Sequence, residues 1–232
     1  MDTRMKVMGA ALFAILVLGG TLASAAPANK VTAGSYPAVL TGQDVNTEHG
    51  KLARLSIGNG ARYIECTEQS FATVLTEATT SITVSGGFSG CFANGLTAVP
   101  ATVTMNQCDY IVEATSKTTG QISVTCPNPG EQIEVHVYEN HVKHTENKPM
   151  CTYDIKPQGP LKGGKITAIN VGMANESLQI SSFGSEPTQL TSTVGGLAVC
   201  GAKASTETKG SMSGEGIVSA RSGGVSTPLM IE

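Results

Sequence analysis

Hydrophobic and polar positions alternate with a period of two along most of this chain. Ile133, Val135 and Val137 alternate with Glu134, His136 and Tyr138. Successive side chains of a strand point to opposite faces, so this run reads as a strand with one buried face and one wet face. Similar runs between Gly, Asn and Pro clusters predict strands over 52–57, 61–66, 70–75, 81–85, 101–105, 109–114, 121–125 and 132–138. Further strands are predicted over 150–156, 165–171, 177–182, 189–198, 216–220 and 228–231. Thr and Val dominate these runs, and a branched Cβ packs well on a pleated surface. Beyond the N-terminal segment no stretch holds a 3.6-residue period. Short strands at such regular spacing predict an all-β fold: an antiparallel, disulfide-stapled sandwich or Greek-key barrel.

Two polar stretches interrupt the pattern. Residues 140–149 are rich in His and Lys and close with Pro149, and 156–165 contain Pro157, Pro160 and three glycines. Each reads as a long loop or a boundary between subdomains. The resulting division is a segment 1–25, a β domain over 26–156 and a second β region over 157–232. That second region is either part of the same domain or a tandem β subdomain. Residues 201–216 read as a mobile polar loop.

The first 25 residues have the pattern of an export signal. Arg4 and Lys6 precede an apolar run from Val7 to Leu18, and Ala23-Ser24-Ala25 supplies a small-x-small cleavage site. The run is about 12 residues, short of the ~20 that span a bilayer. Cleavage after Ala25 is expected to leave a soluble, secreted or extracytoplasmic chain without membrane insertion.

The cysteines agree with export. Cys66, Cys91, Cys108, Cys126, Cys151 and Cys200 all follow the signal, and an even set in an exported chain predicts three disulfides. No C-x2-C spacing suggests a metal thiolate site. Six cysteines allow 15 pairings. One pair can be argued from the strands: Cys108 and Cys126 flank the runs 110–114 and 121–125, which fold about Lys117 as a hairpin and place the two cysteines opposite each other. The most local remaining choice is Cys66–Cys91 with Cys151–Cys200, which sequence alone does not fix.

Charge narrows the partners. Loss of Asp2, Arg4 and Lys6 with the signal moves the formal net charge from -3 to about -4. Without a basic cluster, nucleic acid is not an expected partner, nor is an anionic membrane surface. The chain has no Trp and only 4% aromatic residues, so its core must come mainly from Val, Ile, Leu and Ala.

Several segments together resemble a group of secreted bacterial proteins of high-GC Gram-positive genomes. They are Tyr36-Pro37-Ala38-Val39-Leu40-Thr41-Gly42, Phe88-Ser89-Gly90-Cys91, Val103 to Tyr110, Val124-Thr125-Cys126-Pro127 and Cys151-Thr152-Tyr153-Asp154-Ile155. The resemblance covers most of the first 155 residues and implies export and a β fold. The group has no assigned activity, so no functional residue is carried over.

Candidate chemistry is sparse. Gly159-Pro160-Leu161-Lys162-Gly163-Gly164-Lys165 fits the opening of a phosphate-binding loop, but Ile166 stands where a magnesium-binding Ser or Thr belongs. The segment reads as a plain loop. Ser89 in Gly87-Phe88-Ser89-Gly90-Cys91 falls one glycine short of a nucleophile elbow and is expected in a turn before a bridged cysteine. Asn175-Glu176-Ser177 matches a glycosylation sequon and reads as a polar turn. The strongest cluster is His136, His141 and His144, with Glu139 or Glu146 able to complete a divalent-metal site. Its bland reading is a polar strand face running into an exposed loop.

The expectation is therefore an exported noncatalytic binding or structural protein, contacting the cell envelope, another protein or itself, with no cofactor. The alternatives are a secreted metal-binding protein using the histidines, and an extracellular hydrolase with carboxylates distant in sequence.

Overall fold

The computed structural model describes residues 29–44, 53–57, 62–94, 96–138, 149–186, 190–191, 200, 206–207 and 210–232. The predicted signal segment, and the polar stretch from 139 to 148, lie outside these residues. No helix occurs among them. The strands are β1 (Val31–Ala33), β2 (Ala38–Asp44), β3 (Ala53–Ile57), β4 (Arg62–Leu75), β5 (Ser81–Ala93) and β6 (Leu96–Thr104). They continue with β7 (Asp109–Ala114), β8 (Thr119–Thr125), β9 (Ile133–Val137), β10 (Cys151–Ile155), β11 (Gln158–Ile169) and β12 (Ser177–Glu186). The last are β13 (Leu190–Thr191), β14 (Thr206–Glu207), β15 (Gly210–Ser222), β16 (Val225–Thr227) and β17 (Leu229–Ile231).

The chain closes a barrel; it does not stack two sheets as a sandwich would. Antiparallel pairing runs β5–β7–β8–β11–β12–β15–β2–β4 and returns from β4 to β5. Eight strands thereby satisfy one another's backbone groups around a full circle, which removes exposed edges from this part of the molecule. Strands from before and after residue 157 share the circle. β2 and β3 occupy one position in it, because each pairs with a different part of both β4 and β15.

The β4–β5 ribbon then outgrows the barrel. Ser81–Val84 of β5 pair with β7, whereas Cys91–Ala93 pair with β6, which leads to β9 and β10. Along the ribbon the buried phase reverses. Ile64 and Cys66 are buried at one end, and Gln69 and Leu75 are buried on the opposite phase further along. The reversal falls at the Thr67–Gly90 position, where Gly90 has φ +60°. One ribbon thus faces two interiors. The first cluster gathers Ile64, Tyr110, Ile122, Val135, Val137 and Tyr153 with the cysteines. The second gathers Leu40, Leu75, Ile166, Leu178, Val31 and Leu229 at the other end of the barrel. There the β1–β17 pair lies across the opening, and Leu229 N–H donates to the Glu176 carbonyl at 3.0 Å.

The disulfides are Cys66–Cys91, Cys108–Cys126 and Cys151–Cys200, and no cysteine is free among the described residues. The first ties the ribbon between two opposed residues, and the second closes the β7–β8 hairpin, which turns at Ser116–Thr118. Three such intramolecular bridges are typical of extracytoplasmic proteins.

Three expectations need correction. The Pro- and Gly-rich stretch 156–165 is not a loop: from Gln158 onward it is strand β11, paired with β8 through two register shifts. Bulges tolerate Pro and Gly where a regular ladder would not. Residues 206–207 and 210–216, expected in a mobile loop, are strand, and Gly210–Ser213 pair with β3. Ser89 is not in a turn; it lies in β5 and its hydroxyl donates to Glu68 Oε2 at 2.6 Å.

Candidate functional site

An eight-strand barrel is just wide enough to be filled by side chains or to hold one small ligand. This one is filled at both ends and hollow between. A cavity of about 80 Å³ lies where the two clusters meet. Leu40 and Val218 face it from the second cluster, and Phe71, Val84, Val112 and Ile122 from the first. Period-2 alternation explains these positions: Gln69, Phe71 and Thr73 of β4 point inward while Ser70, Ala72 and Val74 point out. The room has a backbone origin. Gly42, Gly214 and Gly216 line the cavity without side chains. A Cβ on Gly42 would stand 3.2 Å from the Phe71 ring, so the glycine lets that ring lie close against the wall. Phe71 is held there edge-on by Phe88 and Tyr110, each with ring centroids 6.2 Å away. Burial pushes the Tyr110 phenol well above its ordinary range, so it stays neutral.

Polar groups in the wall are few. Gln69 is 8% exposed, and Thr73 and Ser213 join it. Outside, the barrel is mostly polar, with Thr41, Ser70, Thr83, Glu113, Thr167 and Ser219 at outward positions. Apolar residues interrupt it at the exposed neighbouring pair Val39 and Val74, and at Ile111, Ile169 and Ile217, which share the outward phase. A second apolar cavity of about 40 Å³ lies in the first cluster, among Leu55, Phe88, Val103, Ile133 and Ile155.

The charged candidates sit elsewhere, on the outer face of β6, β9 and β10. Glu134 is directly opposite Asp154, and His136 is flanked by Thr102 and Thr152. His136 Nε2 lies 3.3 Å from Glu134 Oε2, an ion pair when the imidazole is protonated. Its Nδ1 lies 3.4 Å from the Tyr138 hydroxyl. Asp154 titrates above its ordinary 3.8, first because it is partly buried and second because Glu134 repels its charge; Gln132, His136 and Lys156 oppose the shift. A raised carboxyl favours the folded state in its protonated form, so its stabilising contribution is present below pH 3.8 and is lost as pH rises through the raised value. Asp154→Asn is therefore expected to melt at a higher temperature than wild type at about pH 7 and to converge with it at about pH 3. Thermal melts across that range check this, and equal melting temperatures throughout would refute it.

Of the predicted metal-site residues, His136 is on this face. His141 and His144, with Glu139 and Glu146, lie outside the described residues. Among the described residues no group of three His, Cys, Asp or Glu side chains is placed to hold a metal ion. Gly159–Lys165, the apparent phosphate loop, is a strand segment at the barrel wall. The lumen residues were not recognised as a site from the sequence, although the alternation over Gln69–Leu75 carries their inward phase. No family model, curated protein or solved structure matches this chain.

Proposed function

We propose that this chain is an exported, noncatalytic binding protein, allied to the secreted high-GC Gram-positive group whose cysteine-strand motifs it shares. One observation carries the reading: the barrel holds an apolar hollow behind a mostly polar wall, while Glu134, His136 and Asp154 lie on an open sheet face. Catalysis needs a nucleophile or acid–base pair converging where water can be excluded. Glu134, Asp154 and His136 are neighbours on a strand surface, and the Ser89 hydroxyl donates to the Glu68 carboxylate, with no base and orienting partner beside it among the described residues. The polar exterior and apolar interior invert the arrangement of a membrane-spanning barrel, whose lipid face is an apolar band.

The test is native mass spectrometry of protein secreted by an expressing host, followed by hydrolysis assays on ester and glycoside substrates. The expected chain begins at Ala26, weighs about 6 Da less than its reduced form and carries no stoichiometric metal. It turns over none of the substrates. Retention of a metal in whole-number ratio, or turnover abolished by Asp154→Asn or Glu134→Gln, would overturn the noncatalytic reading.

A further inference from the structure

The lumen residues also specify what the hollow takes. This inference rests on the binding reading above and deepens it. We propose that the barrel lumen binds a short apolar molecule, three to four carbons in extent, with one polar group turned to Gln69.

Size sets the length. A cavity of about 80 Å³ is roughly half the ~150 Å³ that admits benzene, so the space suits roughly half of a six-carbon ring. Lining sets the chemistry. Water in a cavity needs two to four polar partners, and Leu40, Phe71, Val84, Val112, Ile122 and Val218 offer none. Waters there would compete for the side chains of Gln69, Thr73 and Ser213. An apolar chain needs no hydrogen bonds along its length, and its one polar atom needs one partner. Gln69 is suited to that role because its amide can donate or accept and is buried in the wall, with Nε2 3.6 Å from where a Gly214 Cβ would stand. Leu40 and Phe71, the latter held edge-on by Phe88 and Tyr110, bound the hollow. Short-chain alcohols and amides satisfy both requirements.

Methyl-labelled NMR of the oxidised protein tests this, with xenon under pressure and 1-propanol as probes. The expected result is saturable shifts confined to the methyls of Leu40, Val84, Val112, Ile122, Ile180 and Val218. Gln69→Leu should weaken propanol at least fivefold and leave xenon unchanged, separating the polar contact from the hollow. Val218→Phe should abolish both. Ile180→Ala, which removes bulk from the lining on the strand next to Val218, should admit benzene and raise the melting temperature in its presence. If Val218→Phe fails to fold, wild type and Ile180→Ala decide. Absence of saturable shifts in both folded proteins would overturn the proposal, as would bound water detected in the lumen under xenon. Failure here removes only the lumen ligand, whereas turnover or bound metal in the preceding experiment removes the noncatalytic reading and leaves the xenon result standing.

Discussion

Reduction of all three disulfides is expected to unfold the protein at about 25 °C. The bridges close loops of 25, 18 and 49 residues, and the three loops follow one another along the chain without overlap. Their constraints on the unfolded ensemble therefore add. In the chain-entropy account each contributes roughly 3 to 4 kcal/mol, the longest loop most. The total, about 10 kcal/mol, is as large as the whole stability of a typical domain. Little else is available to replace it, since the core lacks Trp and is built largely of aliphatic residues and cysteines. Removing one bridge should follow loop length: Cys151→Ala with Cys200→Ala loses about 4 kcal/mol, and Cys108→Ala with Cys126→Ala about 3. Urea denaturation followed by far-UV circular dichroism, with and without reductant, measures both effects. A cooperative transition that survives full reduction with its midpoint unmoved would show that the sheets, and not the bridges, hold the fold.

Gly159→Ala is expected to be the most damaging single glycine substitution in the barrel wall. Gly159 has φ +151°, a backbone conformation that an L side chain rarely adopts. A Cβ there would also stand 2.6 Å from Ser123 Cβ and 2.9 Å from Ser123 Cα. The second contact is with main chain, and Ser123 cannot retreat, because β8 is fixed between β7 and β11 with Ser123 opposite Ile111. Backbone strain and overpacking each cost on the order of 1–3 kcal/mol, so a loss of roughly 3 kcal/mol or more is expected. For a chain of this size that lowers the melting temperature by about 6–12 °C. Gly130→Ala is the control. Gly130 has φ +89°, but a Cβ there meets nothing within 4 Å, so it reports backbone strain alone. Thermal melts that place Gly159→Ala no lower than Gly130→Ala would show that β8 and β11 yield at this bulge.

Local features were legible in the sequence wherever the determining residues are close along the chain. Alternation over 133–137 set a strand and its buried face, because a side-chain period of two is a property of the backbone itself. The β7–β8 hairpin placed Cys108 opposite Cys126 for the same reason, since a short turn fixes register. Glycine and proline misled. In 156–165 they read as a break, yet from Gln158 a strand runs through bulges that accommodate a missing N–H and a missing side chain.

Closure belonged to the tertiary structure. β2 meets β15 through pairings whose partners lie up to about 180 residues apart, and no local pattern records that these strands will be neighbours. The candidate sites depend on the same pairings. Glu134 and Asp154 become opposed carboxylates only when β9 pairs with β10, and His136 is drawn into that face by the same register. The hollow is more dependent still, because Gly42 and Val218 are unremarkable strand residues until the barrel turns both inward. The sequence determined strand identity, the even cysteine set and the export pattern, which depend on short-range geometry and composition. Only the folded chain decided between sandwich and barrel, because closing a sheet on itself depends on long-range pairing, and the space left inside depends on which side chains that closure brings face to face.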